Sequence, residues 1–170
     1  MNTDWERIRR EHAPAVWSVA WRILKHHADA LDCSQDVFIE AMRRSETSEI
    51  EDWNGFLRWL TTRRALDYAR RRQRRRTDLD SSYCMDDLRS SGEAVDAPLT
   101  HSELVDRVRG ELSELSDAQA TAFWLACVVE MSYREVAKHM EITTNEVGVL
   151  VHRARKSLRR SLADLKESNN

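Results

Sequence analysis

The stretch from residue 77 to residue 101 interrupts a chain whose apolar residues otherwise follow a helical spacing. It holds six acidic residues, one arginine, Gly92 and Pro98, a composition typical of a linker rather than of a packed element. On either side, apolar side chains recur three and four residues apart, which is the period of an amphipathic helix. Only four glycines and two prolines occur in 170 residues, so turn-rich sheets are disfavoured. We therefore predict an all-α protein with two small helical domains joined by an acidic flexible linker.

The predicted first domain covers residues 1–76 and is expected to contain three helices. Apolar positions between Trp5 and Met42 indicate two of them, which residues 25–32 are predicted to connect. The third helix is predicted from about Asp52 to Arg72. The remaining predicted boundaries are a linker at residues 77–101, a second domain at residues 102–165 and a tail at residues 166–170.

Eight arginines and a single acidic residue, Asp67, occur between residues 61 and 76, although the formal net charge of the protein is -2. Over residues 1–76 there are 16 basic and 12 acidic residues, whereas the predicted linker is strongly acidic. A run of like charges is most often a solvated helix face, but clustered arginines also suit contact with a nucleic-acid backbone. Which of the two applies depends on where the run lies in the fold.

Two capping signals in the C-terminal part indicate a pair of helices joined by a short turn. Ser132 and Glu135 form one predicted capping box, and Thr143 and Glu146 are placed to form the next. At 100° per residue, the second helix of the pair has an apolar and a polar face. The apolar face comprises Val147, Val151, Ala154 and Leu158, and the opposite face comprises Asn145, Val149, His152, Arg153 and Lys156. Such a helix either reads bases in a DNA major groove or is an ordinary amphipathic helix with a solvated face.

The segment from residue 29 to residue 44 is predicted to be another amphipathic helix, with a largely acidic outer face. That outer face comprises Asp32, Gln35, Asp36, Ile39 and Arg43. An isolated isoleucine among charged residues is common on protein surfaces. It is equally compatible with the apolar centre of a protein interface that has a polar rim. From the residues alone both interpretations remain open.

The patterns in the sequence argue against a membrane protein, a metal-binding protein and an enzyme. The first twelve residues are charged and lack an apolar segment, and no run approaches the roughly eighteen apolar residues of a membrane span. Cys33, Cys84 and Cys127 match no zinc-site spacing and have no catalytic base at motif spacing. We therefore expect a cytoplasmic protein with no membrane insertion, no metal site, no cofactor and no enzymatic activity. An enzyme or a metal-dependent sensor built on these cysteines is the competing interpretation.

Residues 29–44, 53–72 and 112–160, in this order and with an acidic linker before the last, resemble bacterial RNA polymerase sigma factors of the sigma-70 family. They resemble in particular the small extracytoplasmic-function group, which has only the second and fourth conserved regions. The resemblance implies a promoter-specificity subunit that binds core RNA polymerase, recognises minus-ten and minus-thirty-five elements, and is controlled by an anti-sigma factor. The alternative is a stand-alone helix-turn-helix transcription regulator, which leaves the acidic-faced helix unexplained.

Carried over residue by residue, the resemblance implies three sets of contacts with polymerase and promoter DNA. On the polymerase, the partners would be the β′ clamp helices and the β flap. The residues facing the clamp helices would be Asp32, Gln35, Asp36 and Ile39. The residues holding the melted minus-ten strand would be Arg63, Arg64, Asp67, Arg70 and Arg71. The residues at the minus-thirty-five element would be Asn145, Gly148, Val149, His152, Arg153, Arg155 and Lys156.

The same resemblance implies a set of core residues and four departures from the family. The implied core residues are Trp53, Phe56, Leu57 and Leu60, with Trp59 and Tyr68 either core or contacts for flipped bases. The departures are Arg63 in place of a frequent asparagine, Glu141 in place of the turn glycine, and Gly148 and Leu150 in place of exposed basic residues. Arg63 predicts a changed base preference at the minus-ten element, and the departures in the reading helix predict an atypical minus-thirty-five sequence. Glu141 predicts either a left-handed residue or a different turn.

Overall fold

Every element in the described part of the chain is an α-helix, as the spacing of apolar residues predicts. The computed structural model describes residues 4–79, 111–112 and 115–167. The N-terminal half comprises α1 (Trp5–Leu24), α2 (His27–Thr47) and α3 (Trp53–Leu79). The C-terminal half comprises α4 (Asp117–Cys127), α5 (Tyr133–Met140) and α6 (Thr144–Glu167). Most of the predicted linker, with Cys84, and the start of the predicted second domain lie outside the described residues.

The connection between α1 and α2 is only two residues long, so its prediction at residues 25–32 is wrong. Lys25 ends α1 in the left-handed region (φ 49°, ψ 23°), and its backbone N–H bonds to the carbonyl of Trp21. His26 then begins α2 as its cap, since its Nδ1 accepts the backbone N–H of Asp29 at 3.3 Å. Neither residue type is the usual one for its task, because glycine is preferred at such helix ends and small hydroxyl or acidic residues at helix starts.

Helix α3 begins with apolar residues that lie in the core and continues without interruption into the arginines. Leu57 and Leu60 are fully buried, Phe56 is nearly so, and Trp53 is partly buried against the same core. The implied core residues of this helix are therefore confirmed. Trp59 is buried as well, which places it in the core. The helix ends at Leu79, beyond its predicted end and inside the predicted linker.

The two predicted capping boxes of the C-terminal half are both present. At the start of α5, Ser132 Oγ accepts the N–H of Glu135 at 3.3 Å, and Glu135 Oε2 accepts the N–H of Ser132 at 2.7 Å. At the start of α6, Thr143 Oγ1 accepts the N–H of Glu146 at 3.2 Å, and Glu146 Oε2 accepts the N–H of Thr143 at 2.7 Å. The pKa of Glu135 is lowered by hydrogen bonds from the Ser132 hydroxyl and backbone N–H, and the pKa of Glu146 is lowered by those from the Thr143 backbone N–H and hydroxyl. Both helices of the helix-turn-helix thus begin at a capping box, which consists of local contacts.

The two halves pack against each other along α3. Helix α3 contacts α1 and α2 within its own half, and it contacts α4 and α5 of the other half. A further link joins α1 to the end of α4, because Arg22 donates to the carbonyl of Val128 at 3.2 Å. The fully buried side chains of the C-terminal half include Trp124, Leu125, Val136, Val147 and Val151. None of the helices in the described part of the chain combines the length and the apolar character that crossing a bilayer requires.

Glu141 ends α5 in the left-handed conformation (φ 57°, ψ 39°) that favours glycine. Its carboxylate lies 3.7 Å from Arg44 and is largely exposed, so this ion pair contributes little. We expect Glu141→Gly to raise the free energy of unfolding by about 0.5–1 kcal/mol in urea denaturation. Glu141→Ala is the control, because it removes the same carboxylate and keeps the strained Cβ. Equal stabilisation by both variants would contradict the conformational explanation.

Candidate nucleic-acid and protein interfaces

The outer face of α2 exposes apolar side chains between polar ones. Asp32 and Gln35 are exposed as predicted, and Ile39 is 49% exposed. Leu31 and Met42 are also large, apolar and more than two fifths exposed. At 100° per residue, Leu31, Gln35, Ile39 and Met42 lie within about 80° of one another, so helical spacing could have found the two additional residues. The name α2 face is used below for five residues, which are Leu31, Asp32, Gln35, Ile39 and Met42.

Asp36 lies beside the α2 face but is tied to α3. Its Oδ2 accepts a hydrogen bond from the hydroxyl of Tyr68 at 2.7 Å. This hydrogen bond raises the pKa of Tyr68 to about 12, so the hydroxyl remains protonated and continues to donate. Tyr68 also packs against the core. It is therefore a structural partner of Asp36, and Asp36 offers only part of its carboxylate to another molecule.

Three of the residues predicted at the minus-ten strand share one face of α3. Helical spacing brings Arg63, Asp67 and Arg70 to the same side, here called the strand face. Arg63 is exposed, and its guanidinium carbon lies 5.8 Å from the centroid of the buried Trp59 ring. Arg71 is exposed further round the helix. A guanidinium held beside an aromatic ring, with further arginines nearby, suits single-stranded nucleic acid.

Arg64 points away from the strand face. Its Nε donates to Glu40 of α2 at 2.6 Å, and its Nη2 donates to the same carboxylate oxygen. These hydrogen bonds to Glu40 raise the pKa of Arg64. Arg64 is one of the arginines predicted at the minus-ten strand, but the structure places its side chain between α2 and α3.

Arg70 is engaged by the C-terminal half of the chain. Its side chain is 12% exposed and pairs with Asp117 at the start of α4. It also donates to the carbonyl of Leu115 at 3.1 Å and lies 4.0 Å from Asp67. A cavity of about 210 Å³ separates α3 from the C-terminal half here, and it is lined by Trp59, Arg63, Asp67, Arg70, Asp117, Ala118, Thr121 and Met140. Contacts with α4 and the preceding residues thus occupy the Arg70 end of the strand face, whereas Arg63 remains exposed.

Helix α6 presents its predicted reading face to solvent, because the opposite face is buried. The buried residues are Val147, Val151, Ala154 and Leu158, as predicted. The exposed residues are Asn145, Val149, His152, Arg153 and Lys156, again as predicted. An amide, an imidazole, a guanidinium and an ammonium group on one side of a firmly capped helix are what a major-groove reader presents to base edges.

Three other residues of α6 depart from the simple picture of an exposed basic helix. Leu150 is half-buried against the core, so its position is not the exposed one expected from the family. Gly148 is half-buried too, and a Cβ there would lie 3.8 Å from the Tyr133 ring, so packing does not require glycine. Arg155 is exposed but donates from Nη2 to Cys127 Sγ at 3.3 Å, which raises the pKa of Arg155.

The two cysteines in the described part of the chain have the surroundings of structural residues rather than of reactive ones. Cys33 is fully buried in α2, and burial raises the pKa of its thiol to about 12, so the thiol remains protonated. Cys127 is half-buried beside Arg155. Within the described ranges, no group of three or more His, Cys, Asp or Glu side chains is arranged to hold a metal ion.

Comparison with known proteins assigns both halves of the chain to one family. Residues 8–75 match Sigma-70 region 2, and residues 106–158 match Sigma-70, region 4. The first match contains the α2 face and the strand face, and the second contains α4, α5 and the reading face of α6.

Individual relatives agree with this assignment. The chain is 29% identical over 161 residues to the ECF RNA polymerase sigma factor SigE of Mycolicibacterium smegmatis, covering 94% of the chain but only 62% of that relative's length. It is 22% identical over 172 residues to the RNA polymerase sigma factor YlaC of Bacillus subtilis, covering 95% of the chain and 94% of the relative. Among solved structures, the sigma factor RpoE from Bartonella quintana, in a co-crystal structure with the anti-sigma factor NepR, has the same fold. Its TM-score is 0.57 at 22% identity, with 94% of this chain and 97% of that chain covered. The chain belongs to the sigma-70 family of RNA polymerase sigma factors.

Proposed function

We propose that the protein is a promoter-specificity subunit, which binds core RNA polymerase in the cytoplasm, directs it to promoters and carries out no chemical step itself. The observation that carries this proposal is the exposed α2 face. A stand-alone helix-turn-helix regulator would account for α6 and its reading face. It would leave the apolar and acidic surface of α2 without a partner.

The α2 face has the composition of a protein interface. Ile39 lies near its centre, with Leu31 and Met42 beside it, and the polar residues Asp32 and Gln35 complete the rim. We assign this face to the β′ clamp helices, with the C-terminal half contacting the β flap. The acidic rim would favour a basic partner surface and accelerate association.

The strand face of α3 would hold the melted non-template strand at the minus-ten element. Arg63 offers hydrogen-bond donors next to the Trp59 ring but no acceptor, so its base preference would differ from that of an asparagine. Asp67 supplies the acceptor that Arg63 lacks, and Arg71 would hold phosphate. Arg70 would join them only after it leaves Asp117.

Helix α6 would enter the major groove at the minus-thirty-five element. We assign base contacts to Asn145, Val149, His152 and Arg153, with Gly148 allowing a close backbone approach. Lys156 and Arg155 would contact phosphates and fix the register of the helix on the duplex. The hydrogen bond from Arg155 to Cys127 would then orient this arginine.

An anti-sigma protein is the second proposed partner. The related RpoE from Bartonella quintana is bound by the anti-sigma factor NepR in its co-crystal structure. By analogy, a protein of this class would cover the α2 face of the free chain, because large apolar side chains stand exposed there.

The proposed function is tested by transcription with purified core polymerase on a pool of randomised promoters. The protein should select a promoter class, and Arg153→Ala should reduce transcription from it about 5- to 150-fold, since one base contact provides roughly 1–3 kcal/mol. Arg10→Ala is the control, because it removes an exposed arginine from α1. It should leave the rate within about twofold of the wild-type value.

The same experiment separates the two candidate functions. A sigma factor should bind promoter duplex tightly only together with core polymerase, and it should stimulate initiation. A stand-alone regulator should bind the duplex equally well without polymerase. Tight binding alone, combined with no stimulation of core polymerase, would refute the proposed function.

A further inference from the structure

Residues 12–28, which run from the middle of α1 across the connection into the first turn of α2, contain no acidic residue. The whole chain has 29 acidic residues among 170, so a stretch of this length would hold about three in proportion. The same stretch contains Arg22, Lys25 and three histidines. Asp29, the first acidic residue after it, lies 3.5 Å from Arg72 of α3. The corner where α1 ends and α2 begins is therefore basic, whereas the α2 face has an acidic rim.

Two tryptophans of α1 stack on each other at this corner. Trp17 and Trp21 are one helical turn apart, with their ring centroids at 6.0 Å and an angle of 14° between the ring planes. Trp17 also contacts the ring of His27 edge-on at 5.2 Å, which ties the pair to the start of α2. Trp17 packs against the core, whereas Trp21 is 37% exposed. Trp21 is thus an exposed indole that a second, partly buried ring holds in place.

The arginine run of α3 reaches the same corner. Asp29 Oδ2 lies 3.5 Å from Arg72 and 3.3 Å from His26 Nδ1, so this part of the run lies beside the connection between α1 and α2. The Arg72 side chain is 34% exposed, and Arg75, which is three residues further along the helix, is exposed as well. At 100° per residue, Arg72 and Arg75 are turned about 180° and 120° from Arg63. These two arginines therefore lie outside the strand face.

The chemistry of this corner fits a polyanion that carries flat apolar groups. Lysine and arginine side chains suit phosphates, and an exposed indole suits the face of an unpaired base. In duplex DNA the faces of the bases are covered by their neighbours, so only a single strand offers them. A protein that binds the acidic rim of the α2 face would itself be basic, and the corner would repel it. Single-stranded DNA is therefore the ligand whose groups match those of the corner.

We propose that the corner formed by Trp17, Trp21, Lys25, His27 and Arg72, here called the α1 corner, binds single-stranded DNA separately from the strand face. One base would stack on Trp21, with the adjacent phosphate on Lys25 and a phosphate further along the strand on Arg72. The proposed function includes no contact at this corner, so the inference goes beyond it. It does not depend on the proposed function either, because it concerns binding by the free chain.

The test uses the full chain without polymerase and a short, mixed-sequence single-stranded DNA that contains iodouracil. Ultraviolet crosslinking should give an adduct at Trp21, which mass spectrometry of the peptides would locate. Trp21→Ala should weaken binding at least about fivefold, since stacking of one base on an aromatic side chain changes affinity by a factor of about 5 to 150. Adducts confined to α3 and α6, or wild-type affinity in Trp21→Ala, would overturn the proposal.

Further substitutions separate base stacking from other apolar contacts. Trp21→Phe keeps an aromatic ring and should retain the affinity within about threefold, whereas Trp21→Leu keeps only an apolar side chain and should bind as weakly as Trp21→Ala. Tyr133→Ala is the matched control, because Tyr133 is an aromatic residue of α5 with a similar exposure of 40%. It should change the affinity less than about twofold. An equal loss in Tyr133→Ala, or wild-type affinity in Trp21→Leu, would refute stacking on Trp21.

Lys25→Ala tests the phosphate contact. The slope of log affinity against log salt concentration should become shallower by about 0.7, the value for one phosphate of a single strand, and an unchanged slope would count against the proposal.

The competing interpretation is a protein contact that continues the α2 face from Leu31, one turn beyond His27, onto Trp21. In that case Trp21→Ala would weaken binding to core polymerase and leave the affinity for single-stranded DNA unchanged, which would refute the proposal. Failure of the wild-type protein to support transcription would refute the proposed function but would leave the DNA-binding result of the free chain intact.

Discussion

Ile39→Asp is expected to weaken binding to core RNA polymerase by at least about 30-fold, which corresponds to about 2 kcal/mol. Ile39 lies near the centre of the α2 face, and truncating or charging the central residue of an interface typically has an effect of this size. The added carboxylate would also stand one helical turn from Asp36, on a helix that also exposes Asp32. Titration of labelled protein with core polymerase measures the effect directly.

The stability of the free protein should hardly change in this variant, because the Ile39 side chain is about half exposed. Ile39→Leu is the matched control, since it keeps an apolar side chain of the same size, and its affinity should stay within about threefold of wild type. Wild-type affinity in Ile39→Asp would show that polymerase binds elsewhere and would remove the proposed partner of the α2 face.

Trp124→Ala is expected to lower the free energy of unfolding by about 3–5 kcal/mol. Trp124 is the largest fully buried side chain of the described residues, and it lies in α4, which packs against α6. Alanine would leave a cavity beneath the helix that carries the reading face. Urea denaturation measures the loss of stability. Promoter-dependent transcription should fall with it, because α6 would no longer be firmly supported.

Trp124→Phe separates the loss of volume from the loss of the indole N–H. Among the described residues, no acceptor lies within hydrogen-bonding distance of Trp124 Nε1. Removing this polar group should therefore offset part of the cost of the smaller ring. Phenylalanine should be clearly less harmful than alanine, and equal destabilisation by the two variants would contradict the explanation by cavity volume.

Local patterns in the sequence predicted the features that depend on neighbours along the chain. The capping boxes at Ser132 and Thr143 and the buried face of α6 follow from spacing alone, and the structure confirms them. The turn at Lys25 and His26 was missed, because both residues take roles in which other residue types are far more common.

Contacts between distant segments were not accessible from the sequence. Nothing in the arginine run distinguishes Arg64, which pairs with Glu40, from Arg70, which pairs with Asp117, or either from the exposed Arg63. The same holds for Gly55, which lies against His139 from the other half of the chain. Periodicity predicted the faces of the helices, whereas the partners of each face follow from how the halves dock.

The continuity of α3 means that the C-terminal half contacts one uninterrupted helix at two separate points. Gly55 and Arg70 lie on the same uninterrupted helix, and at 1.5 Å per residue they are about 22 Å apart. While one point holds, the other group stays close to its partner and rebinds rapidly, as in a bivalent ligand. Release of Arg70 from Asp117 would therefore be brief as long as the contact near Gly55 remains.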